Sequence, residues 1–125
     1  MTNARPIVAV VDDDPTVLDA LEELLESSGY ATLCFSSSLE LLANGLPDLD
    51  VLITDIGMPG MDGFHLRDLV RQDRPALPVF LITGRHELAE QGRAPGIGGL
   101  FRKPFDAQIL LAAIGDALKQ PGKGE

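Results

Sequence analysis

The sequence predicts an α/β protein in which helices cover both faces of a parallel sheet. Short runs of β-branched and other apolar residues alternate with longer amphipathic stretches along the 125-residue chain, a pattern typical of repeated strand–helix units. The run 7–11 is apolar throughout, as expected of a strand that is buried on both faces. Since strands joined through helices pair in parallel with right-handed crossovers, we predict one three-layer α/β/α sandwich with five parallel strands.

The individual elements can be placed from their periodicity and their terminal residues. Asp14-Pro15 suits a helix start, because aspartate accepts the first free amides and the fixed φ of proline fits the first turn. Gly29 suits the end of that helix. The predicted strands are 7–11, 31–35, 51–55, 79–83 and 100–102. The remaining predicted helices are 37–43, 64–73, 85–92 and 106–119.

The segment between the fourth and fifth strands is a poor helix. Its candidate, 85–92, is followed by a stretch at 93–99 that is rich in proline and glycine, which cost about 3 and about 1 kcal/mol respectively in a helix interior. We therefore predict a shortened or irregular fourth helix. Residues 121–125 are expected to form a flexible tail or the start of a linker, so that residues 1–120 make up the domain.

Composition excludes several classes of function. The formal net charge is −9, from 19 acidic and 10 basic residues, and a domain this acidic would repel nucleic-acid phosphates. No apolar run approaches a membrane span, and the first residues lack the apolar core of a signal peptide. With the single cysteine Cys34 no internal disulfide can form. We expect a cytoplasmic protein that binds neither nucleic acid nor membrane directly.

Carboxylates stand at the ends of two predicted strands. Asp12 and Asp13 follow the first strand, and Asp55 ends the third. If these strands are neighbours, the carboxylates converge, and a hard divalent cation such as Mg²⁺ would offset their repulsion. The alternative for Asp12 and Asp13 is a solvated acidic cap on the first helix, and for Asp14 we prefer that interpretation.

Residues suited to phosphate chemistry stand at the ends of the other strands. Asp55 could act as a nucleophile toward phosphorus, although a lone aspartate at a strand end is more often a turn or cap residue. Thr83 offers a hydroxyl donor and Lys103 an ammonium, both suited to phosphate oxygens. Each is ordinary by itself, so the prediction of a phosphoryl site depends on their combination.

Taken together, these residues resemble the receiver domain of two-component response regulators. The likeness extends from Val8 to Leu118, and the order and spacing of its motifs are specific. Those motifs are Val11-Asp12-Asp13, Asp55 with Met58-Pro59-Gly60-Met61-Asp62-Gly63, Thr83-Gly84 and Lys103-Pro104-Phe105. The resemblance implies a flavodoxin-like fold with strand order 2-1-3-4-5.

The resemblance also implies a metal site. Asp13 and Asp55 would bind Mg²⁺ directly, with Mn²⁺ as an alternative ion. Asp12 would order the ion through water, and the backbone carbonyl of Gly57 would complete the protein ligands. Asp55 would be the phosphoacceptor in a Mg²⁺-dependent reaction.

The rest of the implied site acts on the phosphoryl group. Thr83 and Lys103 would contact it, and the Lys103–Pro104 bond is expected to be cis.

The donor would be a sensor histidine kinase or a histidine phosphotransfer protein. The domain would then switch a protein-interaction surface, toward a C-terminal or separate output partner or a second copy in a homodimer. It would not be an enzyme acting on a diffusible substrate.

Two alternatives stay open. Receivers usually carry an aromatic residue three positions before the lysine, where this chain has Leu100. Phe101 follows, and its side chain should face the opposite side of the strand. A receiver-like adaptor with atypical or phosphorylation-independent switching is therefore one alternative. A phosphatase with an aspartyl nucleophile is another, and we rank it last because Gly57 occupies the place of its second carboxylate.

Overall fold

The structure, a computed structural model, describes residues 5–44, 48–58, 60–83, 98–102 and 106–118. The predicted helix over 85–92, the Lys103–Pro104 bond and the predicted tail lie outside the described residues. The helix at the C-terminal end of the described chain is therefore labelled α4. The described elements, in chain order, are β1 Ile7–Val11, α1 Pro15–Ser27, β2 Ala31–Phe35, α2 Ser38–Ala43, β3 Val51–Asp55, α3 Gly63–Asp73, β4 Val79–Thr83, β5 Gly98–Arg102 and α4 Ala107–Leu118.

The strands form one parallel sheet in the order β2-β1-β3-β4-β5. This confirms the predicted flavodoxin-like order. β3 and β4 are buried along their whole length, which explains why their sequences are apolar runs without polar alternation. The predicted start of the fifth strand was wrong by two residues, because Gly98 and Gly99 pair with Val79 and Phe80. Backbone pairing needs no side chain, so these glycines join the sheet despite their weak strand propensity.

Alternate residues of the strands build two hydrophobic layers, one on each face of the sheet. The layer under α2 and α3 consists of Ala9, Val11, Phe35, Leu41, Leu49, Leu52, Ile56, Met58, Leu66, Val70, Leu77, Val79 and Leu81. The layer under α1 and α4 consists of Val8, Val10, Leu21, Leu25, Val51, Ile53, Phe80, Ile82, Leu110, Ile114 and Ala117. The sandwich predicted from the sequence is confirmed.

Side-chain caps determine where the helices begin. Asp14 Oδ1 accepts a hydrogen bond from the Thr16 amide at 2.9 Å and caps α1, as predicted. Asp62 Oδ1 accepts one from the His65 amide at 2.9 Å and caps α3. This cap places Gly63 inside α3, one residue before the predicted start. α1 ends before Gly29, whose φ of 97° lies in the left-handed region and is readily adopted only by glycine.

In the described part of the chain, no helix combines the length and the apolar character needed to cross a membrane.

Candidate metal centre at the carboxyl edge of the sheet

The register between β1 and β3 places Asp12 next to Asp55. Val11 pairs with Thr54, and each of these residues is followed by an aspartate, Asp12 in one strand and Asp55 in the other. Val10 and Ile53, two residues before the aspartates, both belong to the layer under α1 and α4. Because side chains alternate along a strand, Asp12 and Asp55 extend toward the same side of the sheet.

One carboxylate oxygen from each of Asp12, Asp13 and Asp55 lies within 4.8 Å of the other two. Asp12 is 1% exposed and Asp55 6% exposed, whereas Asp13 is exposed. Two of the three carboxylates, Asp12 and Asp55, are therefore buried, and the third, Asp13, lies on the solvent side of the cluster. An ion could enter from that side, where Asp13 lies.

Hydrogen bonds orient the β1 half of the cluster. The Asp12 amide donates to the Phe35 carbonyl at 3.1 Å, which extends the β1–β2 pairing beyond the last strand residue. Asp12 Oδ1 accepts from the Asp14 amide at 2.9 Å. Asp14 uses its own carboxylate to cap α1. Asp14 is therefore a structural residue, whereas Asp12 and Asp13 face the cluster.

The loop after Asp55 is folded back tightly. The Ile56 amide donates to the Ile82 carbonyl at 2.9 Å, and the Ile56 carbonyl accepts from the amides of Met58 and Gly63, both at 3.0 Å. Gly57, predicted as a backbone ligand, lies exposed between Ile56 and Met58. The loop thus turns back directly after Asp55, which is itself buried.

Thr83 and Lys103 belong to the neighbouring strands. Asp55 pairs with Ile82, so Thr83 lies one residue beyond it at the end of β4, where it is 1% exposed. Thr83 in turn pairs with Arg102, the last residue of β5. Lys103 follows directly in the sequence but lies outside the described residues.

The donor set of the cluster fits Mg²⁺. Carboxylate oxygens are hard ligands of the type that this ion prefers. Two oxygens bound directly to one Mg²⁺ at about 2.1 Å each can be at most about 4.2 Å apart. The three oxygens lie within 4.8 Å of one another, a spacing compatible with a site in which two carboxylates bind the ion directly and the third binds it through water.

Sequence reasoning gave no structural role to three residues that shape this region, although Gly63 belongs to the motif after Asp55. Ser38 is 2% exposed and donates its hydroxyl to the Met61 carbonyl at 3.1 Å, which ties α2 to the loop after β3. Arg67 is 8% exposed, and its guanidinium lies 5.5 Å from the centre of the Phe64 ring. Gly63 packs directly against the main chain of Asp55. A polar or missing side chain gives no periodic signal, so none of these contacts could be predicted from apolar spacing.

Phe101 takes the side of β5 that faces α4. Its ring packs against the layer under α1 and α4 and lies 5.9 Å from the Phe80 ring, centre to centre. The aromatic residue of β5 is therefore part of the core beneath α4.

Fold and site together define a flavodoxin-like α/β domain with an acidic cluster at the carboxyl edge of its sheet. A family model described as the response regulator receiver domain matches residues 8–115. The chain belongs to that family. Receiver domains bind Mg²⁺ at an acidic pocket, and the described residues of this chain supply an aspartate cluster of that kind.

Individual relatives agree with this assignment. The chain is 35% identical over 96% of its length to the phosphoglycerate transport system transcriptional regulatory protein PgtA of Salmonella typhimurium. It is 38% identical over 91% of its length to the DNA-binding transcriptional regulator NtrC of Escherichia coli. The chain spans only 30% and 25% of the lengths of these two relatives.

A solved structure supports the fold independently. A response regulator receiver domain protein from Clostridium thermocellum superimposes with a TM-score of 0.82 and 32% identity, over 90% of this chain and 94% of the other.

Proposed function

We propose that this domain accepts a phosphoryl group on Asp55 in a Mg²⁺-dependent reaction and thereby switches a protein-interaction surface. The observation that carries the proposal is the convergence of Asp12, Asp13 and Asp55 within 4.8 Å at the carboxyl edge of the sheet. Membership of the receiver family supplies the reaction class.

Asp55 provides the attacking oxygen. One of its carboxylate oxygens bonds to phosphorus while the phosphorus–nitrogen bond of a phosphohistidine donor breaks, and the departing imidazole takes up a proton from solvent. The ligands of a bound ion would be Asp13 and Asp55 directly, Asp12 through water and the carbonyl of Gly57. Mg²⁺, or Mn²⁺ in its place, would offset the negative charge that the carboxylates and phosphoryl oxygens bring together.

Thr83 and Lys103 complete the proposal. Thr83 is buried at the end of the strand beside β3, where its hydroxyl can donate to a phosphoryl oxygen after a small inward movement. Lys103 follows the strand that pairs with Thr83, and its ammonium would neutralise another phosphoryl oxygen. A shift of these two residues on phosphorylation would favour one of two surface conformations.

The partners follow from this reaction. A sensor histidine kinase or a histidine phosphotransfer protein would deliver the phosphoryl group in the cytoplasm. The relatives named above are transcriptional regulators of which this chain covers less than a third, so the surface would act on a C-terminal or separate output partner. The excess of 19 acidic over 10 basic residues argues against direct contact of this domain with DNA.

An adaptor with atypical switching is the second candidate. The packing of Phe101 against Phe80 and the core beneath α4 favours it, because an aromatic side chain held there does not lie on the opposite face of β5. Such a domain could bind a partner in the same way with or without a phosphoryl group.

Phosphorylation by a small donor tests the first candidate against the second. The wild-type domain is incubated with acetyl phosphate and Mg²⁺, and intact-mass spectrometry should show the addition of one phosphoryl group. Asp55→Asn should show none, while Asp48→Asn, a change at an exposed aspartate outside the cluster, should behave as wild type. Modification that persists in Asp55→Asn would remove Asp55 from its proposed role.

A further inference from the structure

Gly63, at the first turn of α3, lies closer to the main chain of β3 than any other amino acid would allow. A Cβ built on Gly63 would overlap the carbonyl oxygen of Asp55 and would lie 2.9 Å from Ile56 Cα and 3.1 Å from the Asp55 carbonyl carbon. Carbon atoms normally approach to about 3.5–4.0 Å. All three atoms belong to the backbone, so a rotamer change cannot relieve the overlap.

The close approach of Gly63 to β3 also allows a hydrogen bond between α3 and the residue that follows the strand. The Gly63 amide donates to the Ile56 carbonyl at 3.0 Å, and the Asp55 carbonyl accepts from the Thr54 hydroxyl at 3.1 Å. The Asp55–Ile56 peptide group is thus packed against Gly63 of α3 on one side and bonded to Thr54 of its own strand, while the next peptide group, between Ile56 and Gly57, accepts the hydrogen bond from α3.

Neither α3 nor β3, the two elements that meet at this peptide group, can move away easily. Leu66 and Val70 anchor α3 with fully buried side chains, and Asp62 caps its first turn. β3 is buried throughout. An added methyl group at position 63 would therefore displace the main chain at the end of β3, which carries the Asp55 side chain.

We propose that Gly63 is a positioning residue for the phosphoacceptor: the lack of a side chain lets α3 clamp the Asp55–Ile56 peptide and hold the Asp55 carboxylate within the acidic cluster. This inference rests on the proposed function of the cluster. Gly63 touches neither the ion nor the phosphoryl group and acts only through Asp55.

The test compares Gly63→Ala with two control variants. Gly115→Ala adds the same methyl group to a helical glycine that has no atom within 4 Å of the built Cβ. Asp62→Ala destabilises the same end of α3 by removing its cap but adds no atom near Asp55. The measurements are Mg²⁺ affinity by calorimetry, thermal unfolding, and the amide NMR shifts of Asp55 and Ile56 without Mg²⁺.

The expected result separates positioning from stability. Gly63→Ala should weaken Mg²⁺ binding by about tenfold or more, the scale seen when a residue that supports a metal ligand is lost. It should also shift the Asp55 and Ile56 amides in the metal-free protein. Asp62→Ala should lower the unfolding temperature while keeping wild-type Mg²⁺ affinity. Gly115→Ala should also keep wild-type affinity, and its unfolding temperature should stay the same or rise, because alanine favours a helix interior by about 1 kcal/mol over glycine. A folded Gly63→Ala with wild-type amide shifts and wild-type affinity would overturn the proposal.

A measurement on the wild type covers the case in which Gly63→Ala does not fold. If the Gly63 contact supports Mg²⁺ binding, then Mg²⁺ must strengthen that contact by the same factor, because coupling between two equilibria is reciprocal. Hydrogen exchange of the Gly63 amide should therefore slow when Mg²⁺ binds, and an unchanged rate would contradict the inference. A wild type that binds no Mg²⁺ would instead refute the proposed function, and the metal-free amide shifts would then decide the role of Gly63 alone.

Discussion

Asp12 and Asp55 are carboxylates placed where the protein gives them almost no contact with water. Their exposed fractions are 1% and 6%, and Asp13 brings a third carboxylate oxygen within 4.8 Å of theirs. Burial and mutual repulsion both disfavour such an arrangement of charges. A bound cation compensates for both effects, so the protein is expected to be more stable in Mg²⁺ than in its absence.

The neighbouring aspartates Asp13 and Asp14 should differ sharply in their contribution to ion binding. Asp13→Asn removes the charge of a proposed ligand at the solvent side of the cluster and should weaken Mg²⁺ binding by about tenfold or more. Asp14→Asn should leave the affinity unchanged, because asparagine caps a helix about as well as aspartate and the Asp14 carboxylate serves the Thr16 amide. Calorimetric titration of both variants measures this difference. Equal losses in the two would mean that binding depends on general negative charge.

Cys34 should react slowly with alkylating agents. Burial raises the pKa of its thiol, and the carboxylates of Glu22, Asp19 and Glu26 raise it further. A higher pKa means less thiolate at a given pH, and thiolate is the reactive form. The iodoacetamide reaction of the folded protein should therefore be slower than that of free cysteine at the same pH, and the rise of its rate with pH should occur at higher pH. Glu22→Gln should move that rise back toward lower pH.

At the scale of the secondary-structure elements, α3 joins the site to the core. Leu66 is fully buried in the layer beneath α2 and α3, so Leu66→Ala should cost about 2–5 kcal/mol of unfolding free energy, as truncations in packed cores do. Gln72→Ala changes an exposed side chain of the same helix and should cost far less. Urea unfolding of the two variants gives the comparison, and a similar cost for both would argue against the described packing of α3.

The free edge of the sheet at β2 is covered by carboxylates from both adjacent helices. Register with β1 directs the amides of Ala31, Leu33 and Phe35 inward, so the alternate amides face the edge. Among these, the Thr32 amide donates to Glu26 at 3.3 Å and the Ser36 amide to Glu40 at 2.6 Å. Uncovered edges of this kind pair with other chains.

Loss of both edge carboxylates should therefore promote self-association. The double variant Glu26→Ala/Glu40→Ala is expected to show more dimer or aggregate than wild type in sedimentation velocity at equal concentration. Glu23→Ala, an exposed change on the same helix as Glu26, removes a charge without uncovering an amide and serves as the control. A double variant that stays as monodisperse as the control would mean that these hydrogen bonds do not protect the edge.

At the scale of the whole molecule, sequence and structure agree where apolar periodicity carries the information. The strands over 7–11, 31–35, 51–55 and 79–83 were placed correctly because a buried parallel strand is an apolar run that ends at polar residues. The early start of β5 was missed, because Gly98 and Gly99 join the sheet through their backbone alone.

The residues of the site could be predicted from the sequence, but the contacts that hold them in place could not. Strand-end aspartates stand out against apolar runs, and sheet order alone then brings Asp12 and Asp55 together. The clamp at Gly63 and the buried hydroxyl of Ser38 depend on how α3 and α2 dock on the sheet. Docking of this kind arises from tertiary packing, and no local pattern in the sequence encodes it.

The central claim is that the folded domain gathers carboxylates from two adjacent strands into one cation site. Urea unfolding with increasing Mg²⁺ tests it most directly. Binding to the folded state alone should raise the unfolding free energy by about 2.7 kcal/mol at a hundredfold excess over the dissociation constant. At the same Mg²⁺ concentration, the tenfold or greater loss of affinity expected of Asp13→Asn should reduce this gain to about half or less. An unfolding free energy that is the same with and without Mg²⁺ would contradict the claim.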